Sequence, residues 1–483
     1  MKPHYDVVII GSGPAGFSCA IQSAKLDKSV LIIEKEANLG GTWINSGTVP
    51  SKALRETALN IYKFTSQFGD TEGLKPYQRF KMRDVLKYKD KVIHNENNEF
   101  RESIARNGVD TKQGAARIKD AKTVEITDSN GNVESVSTDY ILIATGRHPV
   151  PPKNFEIDHV KVLDINSLMD LHHIPRRLVV VGANVHAMEY ATIFRALGTK
   201  VTILNDKHDY LNFLDQEIKE EFNSILKSYR VAIHHDVNIQ VVQYNPLRNR
   251  TEVKFTIADS PEPRVIETEQ VLYFGSFNPN IKNLGLKDLG VKINNAGFID
   301  VNDKFQTSIE SIYAAGDVTG PPALASLAFS DGMLASSNMF GSKTTDIHDI
   351  APVSIYSIPE VAAYGLTEKE AVKKGLNITV GRAQYENLTK ADISKHRVGM
   401  LKLIFETETF RLLGVHIVGD GACEIIHTGQ AVISMKGDVR YFIRNVMNYP
   451  SFVEAYRVAA FDGVNSVLEG GEKYKKILET TSE

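Results

Sequence analysis

The chain has 483 residues, more than one hydrophobic core usually organises, so it is expected to fold as two to four domains. Hydrophobic residues make up 42% and charged residues 24%, a globular balance, and no apolar run reaches the roughly 20 residues of a membrane-spanning helix. A net charge of −3 without a basic block gives a general nucleic-acid binder no source of affinity; the two cysteines, Cys19 and Cys423, exclude a disulfide framework and a clustered zinc site, and point to the cytoplasm.

A β-rich run, Tyr5 to Ile10, begins almost at the first residue and leaves no room for a cleavable signal sequence. A glycine turn from Gly11 to Gly16, a helical stretch from Phe17 to Leu26 and an apolar strand from Ser29 to Ile33 follow, which together form a βαβ unit. The turn reads Gly-Ser-Gly-Pro-Ala-Gly. Gly11 permits the tight bend, Gly13 lets the backbone come close to a pyrophosphate, and Gly16 lets helix pack on strand, while the helix N-terminus offers N–H groups to phosphate. Glu34 stands 23 residues after Gly11, placed to accept hydrogen bonds from an adenosine ribose. This fingerprint alone does not separate FAD from NAD.

Thr57 to Asn107 reads as mostly helical. Alternating strands follow, among them Val124 to Thr127, with a hairpin turn at Ser129 to Asn132 and a strand that ends at Ala144-Thr145-Gly146. The prolines of Pro149-Val150-Pro151-Pro152 suit a linker and a domain boundary.

Beyond it the βαβ grammar returns: strand Leu178 to Val181, turn Gly182 to Ala187, helix Met188 to Leu197, strand Lys200 to Leu204. The second turn keeps the first glycine, has Ala187 as the third, and carries Asn184 where backbone should approach a pyrophosphate. Binding of a nicotinamide nucleotide is therefore expected to be weakened rather than abolished, because asparagine tolerates unusual backbone angles and can donate to phosphate. Asn205 lies 23 residues after Gly182, the interval from Gly11 to Glu34. Being uncharged, it does not repel a 2′-phosphate, and Lys207 or His208 can supply positive charge.

Tyr313 to Gly316 ends a short strand ahead of Asp317, and Pro321-Pro322 lead into a helical run from Ala323 to Met339. After Pro352 the pattern changes to strands such as Lys402 to Phe405 and Gly414 to Val418, then a helix from Ala422 to Met435, which is a separate α+β domain. The charged end, Glu469 to Glu483, is expected to be a mobile tail.

Ala144-Thr145-Gly146 and Tyr313-Ala314-Ala315-Gly316-Asp317 resemble the further FAD-contact motifs of the two-dinucleotide flavoproteins. That resemblance makes FAD the cofactor of the first fingerprint, with Thr145, Gly146 and Asp317 among its contacts and Asp317 toward the ribityl and pyrophosphate part. The segment Gly40 to Lys52 (GGTWINSGTVPSK) resembles the redox-active helix of the pyridine nucleotide disulfide oxidoreductases, such as dihydrolipoamide dehydrogenase, with Trp43 and Thr48 at the two cysteine positions. Neither forms a thiolate, so no dithiol relay is available. Near the C-terminus, Asn448 to Glu454 (NYPSFVE) stands where that family presents HPxxxE. Tyr449 replaces the histidine, and with a reference pKa of about 10 it is a poor base near neutrality.

One branch of that family, the soluble pyridine nucleotide transhydrogenases, is similar over almost the whole chain. The matching segments are Gly47 to Arg55 (GTVPSKALR), Phe213 to Glu217 (FLDQE), Ile355 to Glu360 (IYSIPE), Val380 to Tyr385 (VGRAQY), Glu424 to Ala431 (EIIHTGQA) and Asn448 to Ala460 (NYPSFVEAYRVAA). Trp43 is a departure, since the branch usually keeps one cysteine there.

The resemblance implies an α/β fold with two Rossmann-like dinucleotide-binding domains and a C-terminal α+β dimerisation domain. The expected boundaries are 1–150 for the first part of the FAD domain, 151–273 for the NAD(P) domain, 274–350 for the rest of the FAD domain, 351–468 for dimerisation and 469–483 for the tail. It implies a cytoplasmic homodimer or larger homo-oligomer assembled through residues beyond Pro352, with FAD as cofactor, no metal, and neither nucleic acid nor membrane as partner. The implied activity is hydride transfer between NADPH and NAD+ through the flavin. Lys52 and Glu189 are the implied catalytic pair at the flavin ring, and Lys52, Ala116 and Gly275 join the cofactor contacts. His427 reads as an interface or core histidine, and Cys19 and Cys423 as packing residues. Two other readings stay open: an NAD(P)H reductase of a quinone or other acceptor, and an FAD-bearing protein whose altered second turn no longer takes nicotinamide well.

Overall fold

A computed structural model describes residues 2–67, 80–342 and 351–467. These form two compact units: residues 2–54, 84–152 and 275–342 make the first, and residues 55–67, 80–83, 153–274 and 351–467 the second. The expected tail at 469–483, and the part of the helical reading between residues 68 and 79, lie outside the described residues. No helix among the described residues is long and apolar enough to cross a membrane.

The first unit is organised by β1, His4–Ile10, whose Val7, Val8 and Ile9 are fully buried. A central parallel strand is covered on both faces, which is why it reads as an unbroken apolar run. Parallel neighbours are β2, Val30–Glu34, and β6, Val133–Ile143; β3, Asp110–Gln113, continues the sheet beyond β2, and β17, Ile312–Ala314, pairs with the end of β6. The antiparallel β4, Ala115–Asp120, and β5, Thr123–Thr127, complete it. The expected hairpin turn is present. Asp128 accepts through its carboxylate from the N–H groups of Asn130 and Asn132, an Asx-type closure that asparagine- and glycine-rich turns favour.

Helix α1, Pro14–Lys25, begins three residues before the expected start, because Gly13 serves as N-cap and Pro14 fits the first helical position. The segment read as a single redox-type helix is two: α2, Gly41–Asn45, and α3, Thr48–Gln67. The break is closed by the N–H groups of Ser46 and Gly47, which both donate to the Thr42 carbonyl. The proline stretch is likewise only partly a linker. Arg147–Pro149 forms β7, paired antiparallel with β16, Phe277–Pro279, and a proline is tolerated at the end of such a two-stranded ribbon.

The second unit contains a parallel sheet in the order β11-β10-β9-β15-β8: Ala232–His234, Lys200–Leu204, Arg177–Val181, Gln270–Tyr273 and Val162–Leu163. A three-stranded antiparallel sheet, β12 to β14, spans Val237–Asn245, Arg250–Ile257 and Ser260–Thr268. The antiparallel C-terminal sheet runs β18-β19-β22-β21-β20. These are Val353–Ile355, Val361–Gly365, Leu412–Val418, Met400–Glu406 and Ile378–Gln384. Helices Ala422–Ser434 and Glu454–Val467 close its core around Phe405, Val415 and Tyr456.

A buried ion cluster explains why the nucleotide-type segment and the C-terminal segment belong to one unit. The Lys402 ammonium, 1% exposed, donates to Asp215 at 2.8 Å and Glu368 at 2.6 Å and lies 3.0 Å from Glu217. Arg382 makes a two-pronged contact with the same Glu217, at 2.6 and 2.9 Å. Burial alone would raise the Asp215 pKa, yet the bonds from Lys402 and the Glu368 N–H, with the nearby positive charges, together outweigh it and hold the carboxyl below its ordinary range. Removing Lys402 would leave the buried Asp215 carboxylate without its cation.

Candidate functional site

Each unit holds one cradle at the C-terminal ends of its parallel strands, where open α/β sheets receive ligands. In the first, Gly11 has φ +104°, and a Cβ there would lie 2.4 Å from the Ala144 carbonyl oxygen, so only glycine fits where β1 and β6 converge. Gly16 is equally constrained, 2.0 Å from the Gly11 carbonyl.

Gly13 differs. Its φ of −65° is open to any residue, and a Cβ would meet no atom of the described residues within 4 Å beyond its chain neighbours. The space above it is therefore what a ligand would fill. No side chain caps α1, which leaves its N-terminal N–H groups to an anion. Glu34, 7% exposed, is fixed by the same turn: Oε2 accepts from the N–H and hydroxyl of Ser12 at 3.0 and 2.6 Å, and Oε1 accepts from the Glu36 N–H at 3.0 Å.

Thr145 has a buried hydroxyl with no partner among the described residues. Its carbonyl, and that of Gly146, accept from the side chain and backbone of Asn280, each at 2.9 Å. Asp317 follows β17 and accepts from Arg147 Nε at 3.0 Å. The Gly316 beside it packs on the start of α1, where a Cβ would approach the Ala15 Cβ at 3.1 Å. An orphaned hydroxyl, an uncapped helix end and an open space over Gly13 fit the phosphates and polyol of a bound FAD. Ala116 lies on β4 and packs against the sheet core, and Lys52 is half-buried on α3 with Nζ 3.4 Å from the Ser51 hydroxyl. Gly275 is half-buried and follows β15 by two residues.

Trp43 packs edge-on against Phe329 with ring centroids 4.9 Å apart, and Thr48 opens α3. Neither cysteine substitutes for the missing pair. Both are buried; burial pushes the Cys19 thiol up to about 12 and raises that of Cys423 still further. They are packing residues, inert as thiolates near neutrality.

In the second cradle Gly182, at φ +106°, repeats the Gly11 geometry against the Phe274 carbonyl. Asn184, at φ −76°, uses no unusual backbone angle. Its side chain is the helix N-cap: Oδ1 accepts from the Ala187 N–H at 3.1 Å. The helix, Val185–Ala196, accordingly starts three residues earlier than expected.

Glu189, 2% exposed, accepts from the Tyr356 N–H at 2.9 Å, and one turn on, the Thr192 hydroxyl accepts from the Ile358 N–H at 3.0 Å. The Ile355 to Glu360 segment thus lies along this helix. Its far end is held by Glu360, which pairs with Arg55 at 2.7 Å and accepts from the Cys423 N–H at 2.9 Å. Asn205 is buried, and its amide donates to the Lys207 carbonyl at 2.7 Å, so it shapes the turn. Lys207 is exposed beyond it. His208 is paired with Asp236 at 2.8 Å, a bond that raises its pKa while spending its charge locally.

His427 is exposed in this chain, with Nδ1 2.8 Å from Gln430, so of its two expected readings the core one does not hold and the interface one stays open. Tyr449 is 66% exposed, with its hydroxyl 2.7 Å from that of Thr389. Sequence reasoning did not single out Ser12, Arg147, Thr192 or the Tyr356 N–H. Of these only Ser12 carried a local signal, its place between the first two fingerprint glycines.

Residues 5–332 match the family described as pyridine nucleotide-disulphide oxidoreductase, and residues 351–460 match its dimerisation domain. The chain is 40% identical over 466 residues to a soluble pyridine nucleotide transhydrogenase of Mycobacterium tuberculosis, covering 96% of this chain and 98% of that one. It is 36% identical over 473 residues to the protein of the same name from Pseudomonas aeruginosa, covering 96% and 99%. Among solved structures, the fold is similar to LpdA from Mycobacterium tuberculosis, with a TM-score of 0.85 at 21% identity, covering 95% of this chain and 99% of that one. It is also similar to the HOCl-induced flavoprotein disulfide reductase RclA from Escherichia coli, with a TM-score of 0.83 at 23% identity, covering 94% and 99%.

Proposed function

The chain belongs to the pyridine nucleotide-disulphide oxidoreductase family, and from that premise we propose that it is an NAD(P)+ transhydrogenase that moves hydride from NADPH to NAD+. The observation that carries this reading is a pair of dinucleotide cradles retained in a chain with Trp43 and Thr48 at the two sulfur positions. Bound FAD supplies the hydride acceptor and donor.

The residues supply position and charge. Gly11, Gly13, Gly16, Thr145, Gly146 and Asp317 receive the flavin's phosphates and polyol, and Glu34 receives its adenosine ribose. Ala116 and Gly275 are further proposed contacts. Lys52 is the proposed cation beside the flavin ring. Glu189, held by the Tyr356 N–H, is the proposed acceptor that orders the nicotinamide. Gly182, Asn184, Asn205 and Lys207 line the nucleotide's phosphate and ribose end. NADPH + NAD+ → NADP+ + NADH takes up and releases no proton, so Tyr449 in place of a histidine base costs this reaction nothing.

The dimerisation-domain match supports a homo-oligomer, and a cytoplasmic homodimer is the finer proposal. The Asn184 cap favours one competing reading, a flavoprotein with impaired nicotinamide binding. An assay of NADPH-dependent reduction of an NAD+ analogue with a distinct reduced spectrum tests the proposal. The expected turnover survives thiol alkylation, and neither dihydrolipoamide nor glutathione disulfide is a substrate. Alkylation-sensitive disulfide reduction would refute it.

A further inference from the structure

Arg147 follows directly on Ala144-Thr145-Gly146, and the fold aims it with care. Gly146, at φ +67°, turns the chain out of the line of β6, and β7 then pairs with β16 so that Arg147 stands opposite Pro279 and Pro149 opposite Phe277. The guanidinium lies over the Phe277 ring, 4.3 Å from its centroid. Asn280 pins the loop on the other side, through the Thr145 and Gly146 carbonyls and through a 2.7 Å contact with His148 Nδ1. Held in this way, Arg147 Nε donates to Asp317 Oδ2 at 3.0 Å, with the two side chains 20% and 31% exposed. Among the described residues no group bonds Asp317 Oδ1.

A second acid crowds the same corner. Asp331, in the Ala325–Met339 helix, faces the Gly316 backbone and the Asp317 carboxylate. Burial first, and the nearby Asp317 charge after it, push its pKa up to about 6. The corner thus holds two carboxylates and one guanidinium, and without the guanidinium Asp317 would face another acid with no counter-charge. A carboxylate that must be oriented and relieved of repulsion before it can bond a ligand binds that ligand less well.

We propose that Arg147 is a positioning residue for the flavin, fixing Asp317 through Oδ2 so that Oδ1 meets the polyol of FAD already oriented. The inference rests on the reading of the first cradle as the flavin site. Release of flavin from the diluted holoenzyme, followed by recovery of flavin fluorescence, tests it in a double-mutant cycle. Arg147→Gln is expected to weaken FAD binding about tenfold, as for loss of a charge-assisted hydrogen bond. Arg147→Lys should restore much of the loss, and Arg147→Gln should cost nothing further in an Asp317→Asn background. A colourless Arg147→Gln protein that circular dichroism shows to be folded also supports the proposal. If that variant does not fold, Arg147→Met and Asp317→Asn complete the same cycle. Wild-type retention in Arg147→Gln, or its full effect persisting beside Asp317→Asn, would overturn the role of Arg147. Wild-type protein that holds no flavin would instead overturn the reading of the cradle.

Discussion

Gly13 and Asn184 occupy the same place in two fingerprint turns, and their backbones nearly coincide: φ −65°, ψ −176° for the glycine against φ −76°, ψ 177° for the asparagine. The asparagine demonstrates that this position does not need glycine for its own conformation. The missing side chain at Gly13 therefore answers to what lies outside the protein. There the space is open and the helix uncapped, whereas in the second cradle a side chain already bonds the Ala187 N–H. A permanently held cofactor and a substrate that must leave place opposite demands on the same turn. With the proposed ligands, the first cradle would leave its donors to the cofactor, and the second, which satisfies one of them itself, would favour release.

The largest expected effect comes from making the first turn like the second. In Gly13→Val a branched side chain fills the phosphate approach, and FAD binding should fall on the order of a hundredfold or more, an overpacking cost of about 3 kcal/mol. The flavin-to-protein absorbance ratio after purification measures it, and full occupancy would break the comparison.

At the rim of the second cradle, Lys207→Ala should weaken NADPH about tenfold and leave NADH nearly unchanged, as loss of one charge-assisted phosphate contact requires. The wild-type difference should narrow with added salt. Flavin-reduction titrations with both coenzymes decide it, and equal losses would mean that Lys207 only supports the loop.

The third expectation concerns the acid-rich rim of the first cradle. Asp331 has a pKa raised from 3.8 to about 6, so the stability it contributes is complete below the unfolded value and is lost as pH rises through about 6. Asp331→Asn should therefore stabilise the fold near pH 8 by on the order of 1 kcal/mol after solvent screening, read as a higher melting temperature, and the advantage should fade toward pH 5. A gain independent of pH would contradict this account.

Smallest is the reverse of the first change. Asn184→Gly frees the Ala187 N–H and should tighten nicotinamide-nucleotide binding about threefold, at only a few tenths of a kcal/mol in helix stability. Weaker binding, measured by fluorescence titration, would show that Asn184 donates to the nucleotide.

What was legible before the fold was known was what is local in sequence. Glycine spacing, strand periodicity and the acid at the end of β2 placed both cradles, and β10 has the expected bounds, Lys200–Leu204. Helix starts came out late by three residues because Pro14 and Val185 are compatible with either turn or helix, and the cap decides. Distant partners were invisible. Arg147 meets Asp317 across 170 residues, and Lys402 meets Asp215 across 187; no periodicity reports such a pairing. The same holds for β7, whose last residue, Pro149, reads as the start of a proline linker because the strand that pairs with it, Phe277–Pro279, lies far along the chain.

The central claim is that hydride passes from NADPH to NAD+ through the flavin with no sulfur involved. Anaerobic stopped-flow mixing of the purified, thiol-alkylated protein with NADPH, then with NAD+, tests it most directly. NADPH should bleach the flavin, and NAD+ should restore its colour with formation of NADH. Flavin that NADPH leaves oxidised, or reduced flavin that NAD+ leaves bleached while a quinone restores it, would contradict the claim.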